Sequence, residues 1–422
     1  MKYCSRCLYP ENHPLNITFN EDGICSGCLI HEEKDEIDWS KKKVRLKKIL
    51  DGYKDKSKKS YDCIIPVSGG RDSYFIVHTI KKVFGLNPLL VSYNNHYNTP
   101  EGIRNLASLK TIFDCDLTTL TISPETVKKI TKVSLLKMGS MYWHCLAGRT
   151  VYPVQIAARF KIPLIIWGAH QGCDQVGMFS HHDEVEMTRK YRKEHDLMGF
   201  EGEDLVDESM GLNYQDIRQY TYPHDKEIER VGVRGIYLSN FIRWDSKRQH
   251  ENMIKDYSYE IYKQNRTFDT YNDVDCYHYS DLHDYIKFCK FGYAKVTDHA
   301  SREIRLKRLT REEGIKLVKE YQDRVPKTLK LFADWLGVTE TGLKYIIDLH
   351  RDKRLWKRDS NYQWVLNESI ISSTDNKHVS RVGLKKVEEC NFIKPEKNNH
   401  EKNYKYTLVG KGFKNLDHVL KK

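Results

Sequence analysis

The segment Tyr61-Asp62-Cys63-Ile64-Ile65-Pro66 runs into Val67-Ser68-Gly69-Gly70-Arg71-Asp72-Ser73, and this junction constrains the fold more than any other stretch. An apolar run enters a Ser-Gly-Gly turn and leaves through the helix-compatible Ser73-Tyr74-Phe75-Ile76-Val77-His78-Thr79-Ile80. That pattern predicts a strand, a bare-backbone loop and a helix start. It is an anion site, because glycines let backbone N–H groups approach phosphate oxygens and the helix dipole favours negative charge. The Gly-Lys-Ser/Thr ending of a Walker loop is missing, so a γ-phosphate grip is not expected.

From residue 61 onward, strand and helix patterns alternate. Strands are expected over 63–67, 88–93, 117–122 and 162–167, and helices over 73–84, 101–113, 124–138 and 150–160. This order predicts an α/β fold with a doubly wound, mostly parallel sheet and a site at the carboxyl ends of its strands. Asn94-Asn95-His96 follows the second strand, where Asn94 could meet a nucleotide base or ribose. Gly168-Ala169-His170-Gln171-Gly172-Cys173-Asp174 follows the fourth. Gly168 is a candidate nucleotide contact, and Asp174 is either a magnesium ligand beside Asp72 or an ordinary loop carboxylate.

Four of the eleven cysteines form a second signal. Cys4-Ser5-Arg6-Cys7 and Cys25-Ser26-Gly27-Cys28 are two C-x-x-C knuckles at the spacing of a tetrahedral zinc site, with a redox or iron–sulfur role as the alternative. Four thiolates leave no position for water or substrate, so such a site is structural. The turns between the knuckles flank a short hairpin, predicting a zinc-ribbon-like module.

The 422 residues allow two or three domains, and no apolar run approaches the ~20 residues needed to span a bilayer. With no signal-like start, the expected location is cytoplasmic. The net charge of +12 sits largely in Lys41–Lys48, continuing to Lys58-Lys59, and in the lysine-rich tail beyond Lys377. Val44, Ile49 and Leu50 mark the first run as one side of a connecting helix. Without an aromatic RNA-binding signature, a polyanionic small substrate or a partner surface explains the charge as well as nucleic acid does.

The loop Ser68-Gly69-Gly70-Arg71-Asp72-Ser73 resembles the PP-loop, Ser-Gly-Gly-x-Asp-Ser, of ATP pyrophosphatases, which split ATP between the α- and β-phosphates. With the zinc knuckles, Asn105 within 99–106, Ile162–Gly168, Arg243-Trp244-Asp245, the block 287–305 and 309–314, the order of motifs resembles N-acetyl sugar amidotransferases of surface-glycan biosynthesis. The resemblance runs from about residue 1 to 358 and departs at Ala169, where an acidic residue is expected. It implies a zinc module (1–35), a basic connecting helix (36–60), an ATP-binding α/β domain (61–245), a helical C-terminal region (246–358) and a basic extension (359–422).

The resemblance also implies conversion of an acetamido into an acetamidino group on a sugar, expected to be nucleotide-linked, with ATP, Mg2+ and Zn2+ as cofactors. Val67, Ser68, Gly69, Gly70, Arg71 and Ser73 would hold the phosphates, and Asp72 would orient magnesium or the loop. Lys290, Lys295, Arg302 and Arg305 form a basic block that either meets pyrophosphate or an acidic sugar, or is a solvated helix paired with Glu303, Glu312 and Glu313. Lys290 and Arg302 are its catalytic candidates, beside Asp72 and Ser68. His170, His181 and His182 read as surface histidines, and Trp143, Trp167 and Trp244 as core or as sugar-stacking planes. No glutaminase machinery is recognisable, so a separate glutaminase subunit, with a cyclase-like subunit to channel ammonia, is the expected partner. The rival reading is a PP-loop enzyme that thiolates or aminates tRNA, against which no downstream C-x-x-C pair stands among Cys63, Cys115, Cys145, Cys173, Cys276, Cys289 and Cys390.

Overall fold

The computed structural model describes residues 1–54 and 60–372. Lys58-Lys59, Cys390 and the lysine-rich tail lie outside them. Two helices open the chain, α1 (Ser26–Glu36) and α2 (Trp39–Tyr53). The sheet region follows as β1 (Cys63–Pro66), α3 (Arg71–Val77), β2 (Pro88–Tyr93), α4 (Pro100–Phe113), β3 (Leu117–Leu120), α5 (Pro124–Met138), α6 (Trp143–Phe160), β4 (Leu164–Trp167) and β5 (Arg234–Tyr237). All five strands are parallel, in the order β3-β2-β1-β4-β5. The chain moves outward from β1 to β3 and then returns to the far side of β1, so the topological switch lies between β1 and β4. Ligand clefts of open α/β sheets form at that point, beyond the carboxyl ends of the strands.

Both sheet faces are buried, as a parallel sheet requires. Cys63 and Ile65 of β1 pack with Leu90, Ile166, Tyr74, Ile80, Leu109 and Phe113 on one side. Ile64 between them turns to Val91, Ile165, Val151, Val154 and Ala157 on the other. This two-residue alternation is what the strand pattern demands. Leu46 and Leu50 of α2 join the first face, whereas Val44 is 71% exposed. The buried stripe of the basic helix is therefore Leu46/Leu50, one turn apart, and not a face containing Val44.

The expected strands all form, the first, third and fourth slightly shorter than their apolar runs. The fourth helix departs most from expectation: α6 starts at Trp143 and carries Pro153 inside it. Proline has no N–H to donate, so the carbonyl of Arg149 loses its helical partner, yet tertiary packing of α6 against β1 and β2 keeps the helix continuous. β5 escaped the sequence pattern because its four residues follow a long stretch of short helical turns.

The N-terminal segment has only isolated bridges, Tyr3 with Pro10 and Phe19 with Cys25, in place of the hairpin expected of a ribbon. Its second knuckle opens α1, placing Cys28 on the helix. Leu8, Tyr9, Ile17 and Ile24 share one apolar cluster with Tyr293, Val296, Ala300, Ile304, Leu309 and Val318. The two ends of the described chain are thus one packed body around the cysteines. No helix among the described residues is long and apolar enough to cross a membrane.

Candidate functional site

A cleft of about 310 Å3 opens at the switch point. The glycine loop forms one wall through Val67, Ser68, Gly70, Arg71, Asp72 and Ser73. Gly69 has φ +78°, and an added Cβ would stand 2.6 Å from the carbonyl oxygen of Gly102, so only glycine fits. At Gly70 a Cβ would meet Asp275 Oδ1 at 2.9 Å. The loop is braced by its own hydroxyls: Ser73 Oγ accepts from Ser68 N–H (3.1 Å) and Ser68 Oγ accepts from Gly70 N–H (3.2 Å). Asp72 is only partly exposed, with Arg71 Nε 3.4 Å from its Oδ1. That buried oxygen has no hydrogen-bond partner. The Arg71 guanidinium is the charge nearest to it, and the carboxylate as a whole lines the cleft, where a carboxylate can serve as an oxygen ligand to a divalent cation.

The strand ends and a distant segment complete the cleft. Trp167 closes β4 and Gly168 follows it, Tyr237 closes β5, and Tyr93 closes β2. Arg149 and Pro153, one turn apart on α6, also reach in. Asp273, Asp275 and Cys276 arrive from a segment that follows all five strands, just before the helix Tyr277–Phe291. Burial pushes the Asp275 carboxyl up, with Asp273 adding to the effect and Arg149 opposing it. Burial also pushes Asp273 up, but Lys295, His299 and Arg71 outweigh it and hold Asp273 below the usual carboxylate range. The sequence reading missed Arg149, Asp273 and Asp275. The Asp-x-Asp spacing was visible, but nothing local tied it to the glycine loop.

Several expected site residues lie elsewhere. Lys290 does not line the cleft; its Nζ donates to the carbonyl of Met138 (2.7 Å), the orphan end of α5, where a cation is favoured. Arg302 is also outside the lining. It donates to Asp269 Oδ2 and Glu303 Oε1, both at 2.8 Å, and to Tyr271 OH at 3.2 Å. Asp269 in turn receives Asn272 Nδ2, and Asn272 Oδ1 receives Arg71 Nη1, so Arg302 supports the glycine loop from behind. Asp174 pairs with Lys34 of α1 and does not face the loop, because the helical turn Gln171–Asp174 docks on α1. Asn94 bonds Thr121, His96 and Asn98. Its neighbour Asn95, buried, is the one bonded to Arg149, since successive side chains of an extended segment point opposite ways.

Lys295 is buried among Asp281 (2.7 Å), Gln264 and Ser280, with Asp273 at 3.6 Å. His170 and His181 are buried, contrary to the surface reading, and burial holds both imidazoles down at about 4. His182 is exposed. Trp143 is core, its Nε1 donating to Phe200 O, and Trp244 packs edge-on against Phe75. Only Trp167 of the three tryptophans lines the cleft. Asn105 clamps both backbone groups of Glu260, a structural role.

The second site is closed. The sulfurs of Cys4, Cys7, Cys25 and Cys28 all lie within 4.8 Å of one another and are buried. Cys4–Cys28 measures 3.9 Å and Cys7–Cys25 3.6 Å between sulfurs, and no disulfide joins them. Tetrahedral zinc with ~2.3 Å bonds sets its sulfurs roughly 3.8 Å apart, so the cluster fits a metal such as zinc. Cys4 Sγ also accepts from the N–H groups of Arg6, Cys7 and Cys25. Arg305 donates to Cys25 Sγ (3.5 Å) and to the carbonyl of Gln175 (2.5 Å), setting a positive charge against the thiolates.

Residues 251–370 match the family model described as the C-terminal domain of LPS biosynthesis protein WbpG-like proteins. A protein of Methanocaldococcus jannaschii described as uncharacterized is 32% identical over 114 residues, which is 27% of this chain and 40% of that protein's length. Among solved structures, NMN synthetase from Francisella tularensis overlays 51% of this chain and 96% of that chain at 16% identity, with a TM-score of 0.26. An overlay that loose does not define a shared fold. The five-stranded parallel α/β fold rests instead on the strand order and register themselves.

Proposed function

We propose that this chain is an ATP-using enzyme of surface-glycan biosynthesis, and specifically an amidotransferase that turns a sugar acetamido group into an acetamidino group. The observation that carries it is the glycine loop at the switch point, which presents Ser68, Gly70, Asp72 and Ser73 to a cleft that Arg149, Asp273 and Asp275 line as well. The match of residues 251–370 to a domain of LPS biosynthesis proteins supports the glycan setting, and these residues supply Asp273 and Asp275 to the same cleft. On this reading residues 61–245 bind nucleotide, 246–358 close the cleft, 1–35 hold zinc, and the glycine loop is a PP-loop.

The chemistry divides into activation and amination. An amide carbon is a poor electrophile and its oxygen a poor leaving group. The acetamido oxygen attacks the α-phosphorus of ATP, the bond to the bridging oxygen breaks, and pyrophosphate departs with that electron pair. Ammonia then adds to the imidate carbon, loses a proton, and expels AMP. Ser68, Gly70 and Ser73 would hold the leaving pyrophosphate through hydroxyl donors and through backbone N–H groups that exchange their bonds to Ser73 Oγ and Ser68 Oγ for phosphate oxygens, which serves the charge that develops on it. Asp72, with Asp273 or Asp275 beside it, would hold Mg2+, which supplies charge neutralisation on the phosphates. The nitrogen comes from a separate glutaminase.

The test is a coupled assay with ATP, ammonium and a panel of nucleotide-linked acetamido sugars. AMP, pyrophosphate and an acetamidino product are expected with ammonium alone, and with glutamine only after a glutaminase is added. Absence of pyrophosphate release with every sugar, or transfer to tRNA instead, would replace the reading.

A further inference from the structure

Two cations line the cleft among the described residues, Arg71 and Arg149, and they are held differently. Arg71 is committed to Asn272 and Asp72. Arg149 has its Nε donating to Asn95 Oδ1 (3.2 Å), Nη1 to Tyr142 OH (3.0 Å) and Nη2 to Asp275 Oδ2 (3.4 Å). A guanidinium has five N–H donors, so these three bonds leave two uncommitted. The guanidinium also lies 5.5 Å from the centroid of the Tyr142 ring, a cation–π contact that fixes its plane. Its side chain keeps 27% exposure, and that exposure is toward the cleft it lines. Pro153, one turn on, lines the same cleft, so this face of α6 is turned inward.

We propose that Arg149 is the phosphate-binding side chain of the cleft, offering its two spare N–H groups to phosphate oxygens across from the glycine loop. The inference rests on the nucleotide-binding reading above and replaces Lys290 and Arg302, both turned elsewhere, as the cation that meets the substrate. A planar fork held by Asn95 and the Tyr142 ring is preorganised for bidentate phosphate contact, which an ammonium cannot reproduce. Asp275 sits between this fork and Gly70, so it tunes the charge and spaces the two phosphate-binding walls. The phosphate belongs either to ATP or to the diphosphate of a nucleotide-linked sugar.

Titration calorimetry of the full chain decides the matter, with α,β-methylene-ATP and a UDP-linked acetamido sugar as separate probes and Arg149→Met and Arg149→Lys as variants. Loss of a charged hydrogen-bonding group predicts weakening by roughly 10- to 100-fold for Arg149→Met, with Arg149→Lys in between. Weakening confined to the ATP analogue assigns the contact to ATP, and weakening confined to the sugar assigns it to the acceptor diphosphate. Arg149→Ala, if folded by its thermal melt, should regain binding in millimolar guanidinium, which a purely packing role for the side chain does not predict. Unchanged binding of both probes in folded variants overturns the inference while leaving the nucleotide reading intact. Failure of the wild-type chain to bind the ATP analogue overturns both.

Discussion

The cysteine cluster and the cleft are opposite solutions to holding a charged partner. Around the cysteines every donor faces inward, the sulfurs are mutually close, and Arg305 and backbone N–H groups already surround them. In the cleft the glycine loop is braced by its own serines, one Asp72 oxygen has no hydrogen bond, and the Asp275 carboxylate lies against Gly70. A closed site can be complete when its ion arrives once and stays. An open site must leave donors uncommitted, because its ligands come and go with each turnover. The two are also connected: Arg305 bonds the carbonyl of Gln175, and Ser26 Oγ donates to the carbonyl of Val176, so the cluster clamps the segment that leaves the cleft at Gly168.

The sharpest break in this comparison is Asp72→Ala. If the cleft is the reacting site, AMP formation falls on the order of 1,000-fold, while the thermal melt moves little because the carboxylate supports no core contact. Near-normal turnover by a folded variant removes Asp72 from the chemistry. Next in size is Cys25→Ser, which should cost metal content and several kcal/mol of stability, since metal binding and folding of such clusters are linked. Elemental analysis reads the metal, and hydrogen exchange should quicken at residues 171–177 as well as in 1–35 if the clamp is real. Unaltered exchange at 171–177 would make the two regions independent.

Arg302→Met leaves the fully buried Asp269 without its strongest partner, so a loss of about 3–5 kcal/mol is expected. Restored stability in Arg302→Met combined with Asp269→Asn would confirm that the effect is an uncompensated charge. Acidification gives a graded effect. Burial holds His144 down at about 3 and His250 at about 4, so the unfolded chain takes up protons first. Their stabilising contribution is full above about pH 6.5 and falls by about 1.4 kcal/mol per pH unit for each histidine as pH drops toward 4. A pH series of denaturant melts reads this slope, and a flat profile between pH 6.5 and 5 contradicts it. The smallest effect is Lys290→Met: loss of one hydrogen bond to Met138 should cost about 1 kcal/mol and leave AMP formation within twofold. A large loss of activity would return Lys290 to the site.

Much of the fold was legible because its signals are local. The apolar run before Ser68-Gly69-Gly70, the helix after it, and the two cysteine knuckles are each contained within a few residues, where backbone sterics and ligand spacing decide the outcome. The helix over 150–160 was legible, Pro153 included, but its first two turns from Trp143 were not, since they are held by packing on the sheet and not by a local start signal. Nor was the burial of His170 and His181, which depends on aromatic and acidic neighbours brought from other segments. Asn94 against Asn95 shows how fine the limit is, as one residue of strand alternation separates a surface amide from the one that steers Arg149.

By itself, then, the sequence determined a strand, a glycine turn that only glycine can make, and four thiolates at metal spacing, because each is a property of short chain segments. Tertiary structure alone decided which charges face the cleft. Asp275 reaches Gly70 from some two hundred residues away with Asp273 beside it in the cleft lining, Arg149 turns inward on α6, and Arg302 and Lys290 turn to Asp269 and Met138 instead. A charged side chain settles where long-range packing offers the partner that best offsets its desolvation, and no local pattern encodes that partner.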